Sequence, residues 1–518
     1  MDRSIRRLGA FLALLFCALF AQLNYIQVFD AGSLNTKTIK DDPSTPVDES
    51  TLGNRRPIEL SYSRARGTIS TADGVLLARS VPSGDRFQYL RQYPQKDLYA
   101  GVTGFFSYQY GASGLERSYN EELTGKTARQ QARSIGDLFS EKDRTGNLTL
   151  SIRSDVQELA RQALGDQLGS VVVMNPQTGA VLALWSNPSY DPNLLAGHDL
   201  DEVKGAYRLL QEAPDNPMLP KAYAEIYPPG STFKVVTGST GVETGKVTPT
   251  TPEYPRLTSL DLPQTTRNLP NFGGEACGGT LFTVLAKSCN TSFAQMGLDL
   301  GPEAMVKGAE AFGFNDAPPF ELPTARSVFP TDFERNLPAL AQSAIGQNSV
   351  AATPLQMCLV AAAIANDGVM VRPYVVQEVR DGEGDLVERA ETTQWKRPVS
   401  PQTADTMRQA MRQVVAGGTA TRLQIPGLDV GAKTGTAQFG PSSPLRSHAW
   451  VIAWAGPPGQ KPTLAVAVIV RNQTGASETT GGRLAAPIAK QLIEQAMKPM
   501  PSPPAPGTTS STTVPAGN

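Results

Sequence analysis

Three short stretches of this chain carry side chains suited to acyl transfer. The first is Tyr227-Pro228-Pro229-Gly230-Ser231-Thr232-Phe233-Lys234. Pro-Pro-Gly reads as a loop and Phe233-Lys234-Val235-Val236 as the first turns of a buried helix. The spacing predicts Ser231 at a helix N-terminus with Lys234 three residues on, on the same face. A serine hydroxyl is a poor nucleophile near neutral pH, but a lysine removed from water has a lowered pKa and can take its proton. Free N–H groups at the helix start offer positive potential to a developing oxyanion. The second stretch, Ser288-Cys289-Asn290, supplies a hydroxyl able to pass a proton to a leaving amine and a carboxamide able to hold a peptide group. The third, Lys433-Thr434-Gly435-Thr436, supplies a cation and two hydroxyls for a carboxylate, with Gly435 permitting close backbone approach.

Each stretch alone says little. Ser-x-Asn recurs at Ser33, Ser118 and Ser288, so that pattern carries weight only through its place between the other two. Ser-x-x-Lys and Lys-Thr-Gly each occur once, and it is the ordered set that points to chemistry. Composition excludes several rivals. Of 518 residues, 47 are Lys or Arg and 48 Asp or Glu, so no bulk charge attracts nucleic acid. Two histidines, His198 and His448, cannot form a His-rich metal site, and the four cysteines show no Cys-x-x-Cys spacing. No metal or organic cofactor is called for.

The elements that must position these residues can be read along the chain. Arg3, Arg6 and Arg7 precede an uncharged apolar run from Leu8 to Val28, long enough for one membrane span. Basic residues before the run put the N-terminus in the cytoplasm and the remainder outside. The bulky exit Tyr25-Ile26-Gln27-Val28-Phe29 favours a retained anchor over a cleaved signal. Residues 1–29 are therefore expected to be cytoplasmic tip and anchor, and 30–57 a polar linker. Residues 58–147 form a first module of short strands around turns such as Asp73-Gly74. Residues 148–497 form a large α+β domain with an antiparallel sheet. It has a helical pattern through Val156, Ala160 and Leu164, a hairpin of Ser170–Met174 with Ala180–Trp185, a buried strand at Leu464–Val470 and a helix from Ala485. The tail, 498–518, is Pro, Ser, Thr, Gly and Ala and cannot bury a core.

The three stretches resemble the motif set of penicillin-binding proteins and serine β-lactamases. The likeness extends to Arg66-Gly67-Thr68-Ile69, Gly114-Leu115-Glu116-Arg117 with Leu123-Thr124-Gly125, Asn187-Pro188-Ser189-Tyr190-Asp191-Pro192-Asn193, Thr353-Pro354-Leu355-Gln356 and Gly417-Gly418-Thr419-Ala420. It covers roughly residues 66–497 and is similar to class B penicillin-binding proteins, which carry an N-terminal module and a β-lactamase/transpeptidase-like domain. The resemblance implies a peptidoglycan D,D-transpeptidase that β-lactams acylate. Ser231 would attack the penultimate D-alanine carbonyl of a stem peptide ending in D-Ala-D-Ala. Lys234 would take its proton, and Ser288, bridged to Lys234 and Lys433, would protonate the departing D-alanine. Asn290 would hold the donor peptide, while Lys433, Thr434 and Thr436 would bind its terminal carboxylate. The N–H groups of Ser231 and Thr436 would form the oxyanion hole.

The acidic signature of a glycosyltransferase domain is absent, so the resemblance implies a separate membrane glycosyltransferase partner, together with division or elongation proteins. His448, beside Ala449-Trp450, falls on a strand that the family places in the core, which makes it structural rather than a catalytic base. His198 falls in a polar loop and is expected in solvent. The aromatic group Phe105, Phe106, Tyr108 and Tyr110 reads as local packing. Cys277 and Cys289 lie twelve apart and can form a disulfide in an oxidising compartment, the alternative being two buried thiols. A D,D-carboxypeptidase or β-lactamase, in which water resolves the same acyl-enzyme, remains an alternative because the motifs describe acylation alone. A division scaffold with vestigial catalysis is a third reading.

Overall fold

The computed structural model describes residues 11–20, 22, 62–127, 130, 145–333, 335–439, 446–474 and 480–501. The linker expected at 30–57 and the tail from 502 lie outside them. So does most of the expected membrane anchor. Its described residues, 11–20 and 22, are helical with exposed apolar side chains such as Phe11, Leu14 and Phe16. Among the described residues no helix is long and apolar enough to cross a membrane.

The chain divides into two compact units, one of residues 1–65 with 81–90 and the other of 66–80 with 91–518. In the smaller, Tyr62 packs on Phe87 at a ring separation of 5.5 Å, and the Asp85 carboxylate accepts from Ser83 Oγ and the Phe87 N–H.

In the larger unit the chain forms strands β1 (Ile69–Ser70), β2 (Leu76–Pro82, of which 81–82 fall to the smaller unit) and β3 (Asn147–Leu150), then helix α1 (Ser154–Leu164) and strands β4 (Gly169–Met174) and β5 (Val181–Asn187). Helices α2 (Lys234–Glu243), α3 (Leu281–Lys287), α4 (Asn290–Leu300) and α5 (Pro354–Ala365) follow. Strands β6 (Val376–Arg380) and β7 (Leu386–Arg389) precede helix α6 (Pro401–Gly417). Strands β8 (Asp429–Phe439), β9 (Arg446–Gly456) and β10 (Leu464–Thr474) lead to helix α7 (Ala485–Ala496).

The main sheet has five antiparallel strands in the order β8-β9-β10-β4-β5. Its long apolar strands form because both faces are covered. Leu464 to Val470 are buried at every position, although successive side chains point to opposite faces. Helix α5, buried along its whole length, packs on β4, β9 and β10, while α1 and α7 pack on each other and on the sheet. Helix α5 starts where it does because Thr353 Oγ1 accepts from the Gln356 N–H and Pro354 occupies the first turn. Ser400 and Pro401 start α6 in the same way.

The second sheet departs from the sequence reading in two respects. Strand β3, read as the opening of the large domain, pairs in parallel with β1, and β6 then pairs antiparallel with β3. The sheet of the N-terminal module thus draws strands from both sides of residue 147 and combines one parallel pairing with antiparallel ones.

The smaller expectations are resolved as follows. Phe105, Phe106 and Tyr108 are buried, Arg66 lies over Phe106 and Tyr110 stacks on Tyr207, which is local packing. Cys358 is core. His198 is half-buried in a bend rather than solvated.

Candidate active site

Ser231 lies in a 3-10 turn, Gly230–Phe233, that runs directly into α2. The expected α-helical start is replaced by this tighter winding, which has three residues per turn and so eclipses side chains at i and i+3. Lys234, the residue at which α2 begins, follows Ser231 by three along this winding. The turn is pressed onto β8. Gly230 has φ +52°, donates its N–H to the Gly346 carbonyl at 2.9 Å, and leaves room for Ala437, which a Cβ would meet at 3.1 Å. Gly435 has a packing role as well, because a Cβ there would lie 2.9 Å from the Pro229 carbonyl and 3.0 Å from Thr232 Cγ2.

Helices α3 and α4 are separated by only Ser288 and Cys289. Ser288 caps α3 in the left-handed region, φ 61° and ψ 42°, a conformation unfavourable for a non-glycine residue. This abrupt turn aims both its carbonyl and its hydroxyl at lysines. Lys234 Nζ donates to Ser288 O at 2.8 Å and to Asn290 Oδ1 at 2.7 Å, and lies 3.3 Å from Ser288 Oγ. Lys433 Nζ donates to the same Ser288 Oγ at 2.8 Å and to Thr434 O at 2.8 Å. The three stretches, far apart in sequence, thus meet through one hydroxyl.

Both lysines are fully buried, and among the described residues no carboxylate is hydrogen-bonded to either. Burial holds Lys234 well below the ordinary ammonium range, and the neighbouring Lys433 charge lowers it further. Burial brings Lys433 down to about 7. Burial thus favours the neutral amine at both lysines.

Asn290 is held on its far side by Nδ2 donating to Pro270 O at 3.1 Å. Cys289 and Cys277 are joined in a disulfide with Cα atoms 5.4 Å apart, tying the second stretch to a small two-stranded ribbon. Thr434 is nearly buried and Thr436 half-buried, on a strand at the edge of the main sheet. His448 pairs with Ala437 in the sheet, accepts weakly from the Asn472 N–H, and sits between Tyr227 and Phe439. Burial, with the Arg471 charge, holds it near 3, as a neutral packing group.

Three supporting residues escape a sequence reading. Trp450, wholly buried, donates Nε1–H to the Pro228 carbonyl at 3.0 Å and anchors the loop before Ser231. Asn271 accepts from the Thr291 N–H at 3.0 Å and donates to Leu257 O and Glu275 O, fixing the start of α4. Thr419 Oγ1 lies 2.5 Å from Thr434 Oγ1. Asn271 sits in a Pro-Asn-Phe-Gly-Gly turn, a signal for a turn, and Thr419 in the Gly-Gly-Thr-Ala segment of the family likeness, but neither signal assigns the contact.

A serine on a tight turn over a sheet edge, with two desolvated lysines converging on a second serine, defines a serine acyltransferase of the penicillin-recognising kind. Comparison with known proteins agrees. Residues 169–494 match the family model described as the penicillin binding protein transpeptidase domain, and residues 66–148 the penicillin binding protein A dimerisation domain. The chain belongs to the class B penicillin-binding protein transpeptidases. It is 41% identical over 515 residues to the peptidoglycan D,D-transpeptidase PbpA of Mycolicibacterium smegmatis, covering 96% of this chain and 99% of that one. It is 37% identical to PbpA of Mycobacterium tuberculosis, covering 97% and 100%. The structure of penicillin-binding protein A from M. tuberculosis as a ceftriaxone acyl-enzyme complex matches with a TM-score of 0.78 and 38% identity, over 85% of this chain and all of that one.

Proposed function

We infer that this protein is a peptidoglycan D,D-transpeptidase working through a Ser231 acyl-enzyme. The observation that carries the reading is the convergence of Lys234 and Lys433 on Ser288 Oγ, with Lys234 one turn from Ser231 and held neutral by burial. Lys234 takes the Ser231 proton as the hydroxyl adds to the penultimate D-alanine carbonyl of a donor stem peptide. The oxyanion is met by the N–H groups of Ser231 and Thr436. As the carbon–nitrogen bond breaks, Ser288 passes a proton to the departing D-alanine and is resupplied through Lys234 or Lys433. Asn290 holds the donor backbone. Lys433, Thr434 and Thr436 bind the terminal carboxylate, which restores positive charge on Lys433. An amine of a neighbouring stem then attacks the ester carbon, the carbon–oxygen bond to Ser231 breaks, and the amine proton passes by way of Lys234 to restore the serine hydroxyl, leaving the amide cross-link. β-Lactams enter the same cycle and stop at the ester.

We place the catalytic domain outside the membrane on a single N-terminal anchor. The three early arginines and the uncharged apolar run from residue 8 to 28 support this. Glycan polymerisation then falls to a separate membrane glycosyltransferase.

Peptide mapping after labelling the full chain with a fluorescent penicillin tests the reading. The label is expected on Ser231 and absent from a Ser231→Ala variant that still folds. An adduct on another residue overturns it. The lifetime of the adduct separates the alternatives: many minutes fits a synthetic enzyme, and turnover in seconds a hydrolase.

A further inference from the structure

The acylation scheme leaves one hydroxyl beside the carboxylate-binding strand unassigned. Thr419 follows the end of α6, is exposed, and places Oγ1 2.5 Å from Oγ1 of the nearly buried Thr434. Its loop is held from both sides. The Thr419 N–H donates to Ala286 O at 3.2 Å, in the helix that delivers Ser288, and a Cβ on Gly418 would fall 2.4 Å from that same carbonyl. On the other side Gly482 backs onto the loop so closely that a Cβ would lie 2.3 Å from Thr419 O. Fixed backbone on two sides, rather than a free rotor, therefore presents the hydroxyl.

Each threonine hydroxyl carries one hydrogen, and a carboxylate brings none. One hydrogen is used between the two oxygens and one remains. For Thr434 to donate to an anion, its oxygen has to accept the Thr419 hydrogen, and an anion at the end of that chain polarises both bonds in the same direction. Among the described residues, Thr419 is the one hydroxyl that fixes the direction of the Thr434 hydrogen before the substrate arrives.

We propose that Thr419 is a positioning residue for specificity, orienting the Thr434 hydroxyl toward a free carboxylate so that the site favours acids over their esters. The substrates concerned are peptides with a free C-terminal carboxylate and β-lactams carrying the equivalent group. The proposal rests on the carboxylate-binding role given above to the Lys433–Thr436 strand.

The test is the rate of Ser231 acylation in the full-length protein by a penicillin and by its methyl ester, in wild type, Thr419→Val and Thr419→Ser. Valine keeps the branched shape and removes the hydroxyl. Thr419→Ala repeats the comparison if the valine variant folds poorly. The valine variant is expected to acylate with the acid about tenfold more slowly, the scale of one hydrogen bond to a charged group, and with the ester less than about twofold more slowly. The serine variant is expected within about twofold of wild type on both. Equal losses on acid and ester, a serine variant as slow as the valine one, or an unchanged acid rate each overturn the proposal. A wild-type protein that takes up no penicillin at Ser231 removes the transpeptidase reading, and this proposal with it.

Discussion

Two buried clusters in this molecule have the same outline and opposite chemistry. In the N-terminal module Arg66 and Arg91 flank the Glu116 carboxylate, at 3.0 and 2.6 Å, all with almost no exposure. In the active site Lys234 and Lys433 flank the Ser288 hydroxyl. Burial alone would raise the Glu116 pKa, but the Arg91 and Arg66 charges outweigh it and hold the carboxyl below its usual value. The module cluster is therefore ionised, paired and fixed, with Arg66 also donating to Asn120 and Arg91 to the Gly67 carbonyl. Among the described residues the two lysines bond only neutral oxygens, so burial favours losing their protons. A cation pair around an anion makes a structural tie, whereas one around a hydroxyl makes a proton relay. The residue types agree with this division, since guanidinium resists deprotonation and ammonium does not.

The contrast is broken first at Lys234. Methionine there is expected to lower β-lactam acylation by about two to four orders of magnitude, the range for loss of a general base. It is expected to leave a folded protein, because no buried charge loses its partner. Stopped-flow acylation together with circular dichroism checks both halves, and a variant that acylates normally removes Lys234 from the chemistry.

Glu116→Gln is expected to show the reverse pattern. It leaves two buried guanidinium groups without their anion, at a cost of about 3–5 kcal/mol in stability. Denaturant unfolding of the full chain reads the loss, and acylation per folded molecule should be unchanged. A fully stable variant would show that the module does not depend on this ion pairing.

A smaller effect concerns pH. Lys433 titrates near 7 when folded and, as an ordinary lysine, near ~10.4 when unfolded. Between those values the unfolded chain binds the additional proton, so this residue makes stability rise with pH from about 7 to about 10. Below 7 both states are protonated and its unfavourable contribution is constant. Subtracting the stability profile of Lys433→Met from that of wild type isolates the slope, and a flat difference would place the folded pKa near its ordinary value.

Much of this was legible in the sequence, and the reasons are local. The hairpin of β4 and β5 follows from two apolar runs around a Pro/Gly turn, and α7 from its helical spacing. The three catalytic stretches were visible because acyl transfer needs particular residue types at fixed short spacings. What escaped was long-range. Nothing in Asn147–Leu150 says that it pairs with β1 rather than opening the next domain, and nothing in Val376–Arg380 says that it returns beside it. Register between distant strands depends on packing that no short window contains. Trp450 and Thr419 escaped for the same reason. Each acts through one hydrogen bond to a residue distant in sequence or loop-borne, a pairing that no short segment reveals. The turn that carries Ser231 sets Gly230 close against Ala437, a contact some two hundred residues apart in the chain.

The central claim is that a lysine already neutral at working pH receives the Ser231 proton. Its most direct test is the second-order rate of Ser231 acylation by a penicillin as pH is raised from ~5 to ~10 in the full chain. The two lysines are coupled, so the account predicts an apparent pKa belonging to the pair, with the rate rising through the acid range and level from about neutral pH upward. A rate that keeps rising about tenfold per unit up to ~10, as an ordinary lysine would impose, contradicts it.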